Sequence, residues 1–193
     1  MALDLKYQQS AIPAEERLNV FALVIYIPGP LGLFLDDLRR DLVPDYDPHA
    51  HVSVLPPRTL AVGWQVASEE AGALTARRAP FDIELTQVSV FPVTGVVYLE
   101  VGAGGDELRG MHAAMNTNAL GFPEPFAYHP HVTLAQELPT GNVTEVRDLA
   151  ARRWREYPGK RTFRAERAVL VQNTLSNRWI DLRACLLGSK DSR

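Results

Sequence analysis

The first strongly patterned segment is a near-continuous apolar run, Val20-Phe21-Ala22-Leu23-Val24-Ile25-Tyr26-Ile27, closed by Pro28-Gly29-Pro30. Its β-branched and aromatic content predicts a central strand, since a strand covered on both faces needs no polar alternation. Leu31, Phe34, Leu35, Leu38 and Leu42 then recur at helical spacing, with Asp36, Asp37, Arg39 and Arg40 on the other face. A loop over 44–48 leads to His51-Val52-Ser53-Val54-Leu55, which alternates as a strand and is expected to end at Pro56-Pro57. A helix is expected from Ser68 to about Arg78. Phe81, Ile83 and Leu85 alternate with Asp82 and Glu84 as a strand, and the apolar phase then slips to Val88 and Val90. That slip predicts a bulge near Thr86-Gln87.

The rest of the chain repeats this order. Val96 to Val101 reads as a strand, and Gly104-Gly105 opens a helix with apolar positions Leu108, Met111, Met115 and Ala119. A loop with Gly121, Pro123 and Pro125 leads to a second histidine strand, His131-Val132-Thr133-Leu134. Asn142-Val143-Thr144-Glu145 reads as a capping box before a helix carrying Val146, Ala150, Trp154 and Tyr157. Phe163–Gln172 and Trp179–Leu187 are the last predicted strands, and the tail from Gly188 reads as frayed. Strand, helix, histidine strand, helix, strand thus occurs twice. We expect one bilobal domain over residues 1–193, an internal duplication with repeats at about 20–91 and 95–187 packed about a pseudo-two-fold axis. Such packing brings His51 and His131 together across one cleft.

Each histidine strand reads His, apolar, hydroxyl, apolar. Alternate strand residues share a face, so His51 and Ser53 point one way and Val52 and Val54 the other. His131 and Thr133 stand in the same relation to Val132 and Leu134. Two imidazoles and two hydroxyls in one cleft suit in-line displacement at a phosphodiester. One neutral His accepts a proton from the attacking oxygen, and the other, as a cation, donates one to the departing ribose oxygen. The hydroxyls donate to the non-bridging oxygens, where negative charge sits.

Two other readings use the same residues. His49/His51 and His129/His131 are His-x-His pairs, and alternate strand residues of this kind can chelate a metal in a cupin-like site. Leu55, however, stands where such a site commonly has Glu. The second alternative is a nucleotide-binding module without turnover. Around the motifs, Phe126 and Tyr128 are candidate stacking surfaces for a base, and Arg58 is a candidate phosphate contact. His112 and Trp154 fall in helical patterns and are expected to pack.

Composition narrows the function classes modestly. A hydrophobic content of 46% and a charged content of 22% are those of an ordinary soluble globular chain. The net charge of −3 argues against an extended nucleic-acid footprint while leaving room for a local basic cleft. The single Cys185 rules out an internal disulfide and is expected to be buried. No apolar run reaches the ~18 residues of a membrane span, and Met1 to Asn19 lacks the apolar core of a signal peptide. A cytoplasmic monomer is expected.

The motifs His51-Val52-Ser53-Val54 and His131-Val132-Thr133-Leu134, their separation, and the element order from Val20 to Leu187 resemble the two-histidine (2H) phosphoesterase superfamily. Within it they are similar to the bacterial 2′–5′ RNA ligase-like cyclic phosphodiesterases. The resemblance implies an α+β fold, with two pseudo-symmetric lobes of antiparallel-rich sheet flanked by helices around a central cleft. It implies His51, Ser53, His131 and Thr133 as catalytic residues, no metal and no other cofactor. The implied activity is hydrolysis of 2′,3′-cyclic phosphates or related cyclic nucleotide or RNA-terminal phosphodiesters, and some members act on 2′–5′ linkages. The implied partner is a small nucleotide or RNA end. Ser53 stands where Thr is commoner, but the hydroxyl is kept.

Overall fold

The computed structural model describes residues 12–44, 49–139 and 141–188. Most of the polar lead-in, residues 45–48 of the predicted loop and the tail beyond Gly188 lie outside the described residues. The chain forms β1 (Arg17–Tyr26), α1 (Leu31–Leu42), β2 (His51–Arg58), α2 (Trp64–Ala76), β3 (Phe81–Val90), β4 (Val97–Val101), α3 (Gly105–Met115), β5 (His131–Ala135), α4 (Val143–Glu156), β6 (Thr162–Ala165), β7 (Arg167–Thr174) and β8 (Trp179–Leu186). Two four-stranded sheets result, in the orders β2-β1-β7-β8 and β5-β4-β3-β6. Every strand pairing is antiparallel, so the fold is α+β with two sheet lobes. Among the described residues no helix is long and apolar enough to cross a membrane.

The lobes do not divide the chain at about residues 91–95. β3 pairs with β4 across a short connection, as hairpin neighbours do, and so joins the second sheet. The strand expected over Phe163–Gln172 is two strands. β6 completes the second sheet beside β3, and after Glu166 the chain crosses to the first sheet as β7. What repeats is narrower: β1-α1-β2 and β4-α3-β5, each ending in a histidine strand at a sheet edge.

These two units exchange their helices. α1 packs against β5 and α3 against β2, while the two histidine strands lie against one another. Leu35 and Leu38 of α1, Leu108 and Met111 of α3, and Val52, Val54, Val132 and Leu134 of the histidine strands are fully buried in one core. Each such side chain is worth about 1.5–3 kcal/mol on transfer from water, so the motif strands are anchored from behind by the apolar half of their own pattern.

Both histidine strands slip register at the same point. In the first sheet Val24 pairs with Ser53 and Leu23 with Leu55, leaving Val54 as the extra residue. In the second, Tyr98 pairs with Thr133 and Val97 with Ala135, leaving Leu134. A bulge lets two successive residues face inward, and Val54-Leu55 and Leu134-Ala135 are all buried. The bulge expected in β3 is present as well, between the pairs Leu85/Val101 and Val88/Leu99. There the Trp154 indole Nε1 donates to the Thr86 carbonyl at 2.5 Å.

Several boundaries differ from expectation for local reasons. Pro56-Pro57 does not stop β2, which continues to Arg58, because an edge strand tolerates residues without an N–H donor. α2 starts at Trp64, ahead of Ser68, and α3 stops at Met115, before Ala119. The capping box at Asn142 does not form. Asn142 already has helical angles (φ −90°, ψ −10°), so its side chain is not placed to cap. At the start of α3, Gly104 has φ 86°, and a Cβ there would meet the Asp82 carbonyl oxygen at 2.5 Å.

Candidate active site

The alternation in the motif strands holds. His51, Ser53, His131 and Thr133 are half-buried and alternate with Val52, Val54, Val132 and Leu134, which are fully buried. β2 and β5 are edges of their sheets and lie against one another, which sets the two histidine motifs on neighbouring strands. The His131 charge is among those acting on His51, so the two imidazoles lie near enough to interact.

Both histidines are locked in the same way. The Nδ1 of His51 lies 2.7 Å from the His49 carbonyl, and the Nδ1 of His131 lies 2.7 Å from the His129 carbonyl. A carbonyl only accepts, so each Nδ1 carries the proton and each Nε2 is left for chemistry. A neutral ring then offers an Nε2 lone pair, and a protonated ring offers Nε2–H. Burial pushes His51 down to about 4; the bond to the His49 carbonyl opposes this, and the charges of Arg39, His131 and His49 add to it. His131 is lowered too, first by burial, with the His129 carbonyl and Glu100 opposing and His129 adding.

The walls beside the two histidines differ. Tyr26 pairs with His51 across β1 and β2, turns its ring edge-on to His49 and His51, and donates its hydroxyl to Asp181 Oδ1 at 2.7 Å. Behind it Ala22, Val24, Val169 and Val171 form a small buried apolar patch on the sheet. In the second lobe Glu100 pairs with His131 and Tyr98 with Thr133. Glu100 accepts from the Tyr98 hydroxyl at 2.9 Å and meets His129 Nε2 at 2.8 Å. Burial alone would raise the Glu100 carboxyl, but hydrogen bonds from His129, Tyr98 and Ser89 outweigh it and hold the group below its ordinary value. Tyr98 is pushed up to about 12, by burial and then by Glu100, so it stays a donor. Phe91 stacks on Tyr98 at 4.0 Å and sets its edge against His131 at 5.0 Å.

The three expected substrate contacts lie in quite different places. Arg58 is only 3% exposed and is committed to the protein: it pairs with Glu124 and donates to Asn116 Oδ1 at 2.8 Å and to the Leu120 carbonyl at 3.0 Å. Tyr128 is stacked on His112 with ring centroids 3.9 Å apart, and its hydroxyl donates to the Ser53 carbonyl at 2.7 Å. Arg58 is thus not free to hold a ligand, whereas half-buried Tyr128 has its hydroxyl and one ring face engaged by the protein. Phe126 is exposed, in the loop before β5. The residues overlooked in the sequence were Tyr26, Phe91, Tyr98 and Glu100. The signal for two of them was available, since Tyr98 and Glu100 alternate in sequence with Val97, Leu99 and Val101 and so share one face of β4, beside Thr133 and His131.

The chelating alternative does not fit this geometry. Among the described residues no group of three or more His, Cys, Asp and Glu side chains is placed to hold a metal ion. His129 gives its Nε2 to Glu100, which engages one of the four imidazoles that such a site would need. Cys185 is buried, as expected.

Solved structures of similar fold include Escherichia coli LigT in complex with NADP+, at TM-score 0.62 over 90% of this chain and 99% of that one, with 17% identity. The complex of LigT with 3′-AMP gives 0.63 over the same shares, with 16% identity. TT0787 of Thermus thermophilus gives 0.59 over 89% and 99%, with 16% identity. By sequence, a protein of Bacillus licheniformis provisionally named a phosphoesterase is 28% identical over 121 residues, which are 58% of this chain and 70% of that protein. A protein of Geobacillus thermodenitrificans with the same provisional name is 26% identical over 121 residues, 58% and 68% of the two chains. The model of the 2'-5' RNA ligase superfamily matches residues 27–177, a span that contains both histidine motifs. The chain therefore belongs to the 2'-5' RNA ligase superfamily, the two-histidine phosphoesterases to which its paired motifs point.

Proposed function

We propose that this chain hydrolyses 2′,3′-cyclic phosphates, or closely related cyclic nucleotide or RNA-terminal phosphodiesters, by metal-independent acid–base catalysis at His51 and His131. The observation that supports this reading is the matched pair of Nδ1 locks at 2.7 Å, which leaves the Nε2 atom of each histidine to exchange a proton. A water oxygen attacks phosphorus and passes its proton to the neutral Nε2 of one histidine. The bond from phosphorus to a ribose oxygen breaks, and that oxygen takes a proton from the Nε2 of the other. Ser53 and Thr133 donate to the non-bridging oxygens, and a phosphomonoester leaves. LigT, similar in fold, has been crystallised with 3′-AMP, a nucleotide bearing the kind of phosphomonoester this reaction yields. Exposed Phe126 supplies an aromatic surface for a nucleoside.

The test is a panel of cyclic nucleotides and of short RNAs ending in 2′,3′-cyclic phosphate or carrying 2′–5′ linkages, with products identified by mass spectrometry. His51→Ala and His131→Ala are each expected to lower turnover by roughly 10²–10⁴ with the fold intact. The double variant should lose far less than the product of the two, because both serve one transition state. Activity should survive exhaustive EDTA treatment. Wild-type turnover in either single variant overturns the assignment, and loss of activity on chelation overturns metal independence. Nucleotide binding with no turnover on any member of the panel favours the non-catalytic alternative.

A further inference from the structure

The segment between α3 and β5 holds a cluster that touches neither Nε2 atom yet joins both motifs. Its centre is Tyr128. The Tyr128 hydroxyl donates to the backbone carbonyl of Ser53, the hydroxyl residue of the first motif, at 2.7 Å. One residue further on, the His129 carbonyl accepts from Nδ1 of His131, the histidine of the second motif, also at 2.7 Å. A single side chain and one peptide unit therefore connect the bulged strand of one lobe to the orienting bond of the other.

The bulge explains why the connection sits where it does. Inserting Val54 into β2 disrupts the ladder there, and the carbonyls of Ser53 and Val54 need donors. Tyr128 supplies one. His112, on α3, supplies the other through Nδ1 at 2.9 Å. The two rings that do this lie parallel, 1° apart in orientation, so each fixes the other. Behind them Glu124 lies 3.3 Å from His112 Nε2 and pairs with buried Arg58. The loop from Gly121 to Pro130 is thereby fastened to β2 on its way into β5.

We propose that Tyr128 is a positioning residue. By bonding the Ser53 carbonyl while held against His112, it sets the His129 carbonyl that keeps His131 in its Nδ1–H form, and so couples the geometry of the two motifs. The effect on turnover rests on the hydrolytic reading above, whereas the effect on the His131 ring does not.

The test is Tyr128→Phe, which keeps the stacked ring and deletes the hydroxyl. For a misplaced catalytic group, kcat should fall between about 10-fold and about 100-fold, with KM within about twofold because no substrate contact is removed. Nitrogen-15 NMR of the imidazoles reads the same device without activity. The His131 resonances should move from the Nδ1–H tautomer toward a mixture, while those of His51, whose lock is separate, stay in place. Thermal melting and circular dichroism check that the variant is folded. If it is not, His112→Ala, which removes the ring that holds Tyr128 in place, is read for the same His131 shift. Unchanged His131 resonances overturn the proposal, and so does a kcat within twofold of wild type. A rise in KM of tenfold or more with kcat preserved also overturns it, by making Tyr128 a substrate contact. A wild-type chain inactive on every cyclic phosphate, with the His131 shift still present in the variant, refutes the hydrolytic reading alone.

Discussion

His51 and His131 lie below the ordinary imidazole range for the same first reason, burial in the cleft, and differ in the charges around them. An acid and a base that are both lowered move a bell-shaped profile toward acid. For the free enzyme, kcat/KM should therefore peak below the unperturbed imidazole value of about 6.5. The two limbs belong to the pair rather than to either ring. A peak at or above pH 7 would show that the cleft does not desolvate the rings as its walls suggest. The same lowering has a consequence for stability. His51 titrates at about 4 in the folded chain and near 6.5 when unfolded, so between those values the unfolded chain binds more protons. Stability is complete above about 6.5 and is lost as pH falls through that window. His51→Gln should melt with a shallower dependence on pH from 7 to 4 than wild type, and parallel curves would refute this. At this scale the sequence was legible wherever side-chain direction followed from alternation. The His/hydroxyl face is the example. Arg58 was misjudged because nearness to a motif along the chain says nothing of direction: its side chain points inward toward Glu124, and for the same reason the bond from Tyr128 to Ser53 was not foreseen.

Elements in this fold are irregular where they matter, and side chains from elsewhere satisfy the irregularities. Ser53 and Val54 in β2 have Tyr128 and His112, and Thr86 in β3 has Trp154. The β3 bulge was visible because it changes the apolar phase from Ile83 and Leu85 to Val88 and Val90. The bulges after the motifs were not, because Val54-Leu55 and Leu134-Ala135 read equally well as strand ends. The proline pair misled for a related reason: whether β2 is an edge depends on partners that the local sequence does not name. Arg58, at the far end of that strand, holds the Gly121–Pro130 loop through a pair whose side chains are 2% and 13% exposed. Arg58→Ala leaves the Glu124 carboxylate enclosed without its cation and should cost about 3–5 kcal/mol. Adding Glu124→Gln should recover part of that loss. Chemical denaturation of the single and double variants measures the coupling, and additive losses would mean that the pair carries no special energy.

The whole molecule is held by exchanges between its halves, which is why its sheet membership escaped a reading in sequence order. α1 backs the histidine strand of the second unit and α3 that of the first, and the chain returns from β6 to β7 to complete the first sheet. Antiparallel neighbours brought together by distant segments leave no local periodicity to detect. Charge, by contrast, is a whole-molecule property that the sequence states directly, and it bears on substrate size. The net charge is −3, and the most basic stretch, Arg147 to Lys160, is interrupted by Asp148 and Glu156. Much of that stretch lies on α4, where Arg153 pairs with Asp41 and Arg147 with Asp148, so part of its positive charge is engaged within the protein. Within the cleft Glu100 adds negative charge beside His131. Binding should then depend on the one phosphodiester at the motifs and the nucleosides flanking it. A mono- or dinucleotide ending in a 2′,3′-cyclic phosphate is expected to be processed with about the same kcat/KM as a longer RNA with that end. Log K should fall by about 0.7 per phosphate contacted for each decade of salt, which for one or two contacts is a shallow slope. Measuring kcat/KM across chain lengths at several salt concentrations decides the matter. A steep gain with length, together with a slope requiring five or more phosphate contacts, would mean that the surface beyond the cleft tracks RNA despite its charge.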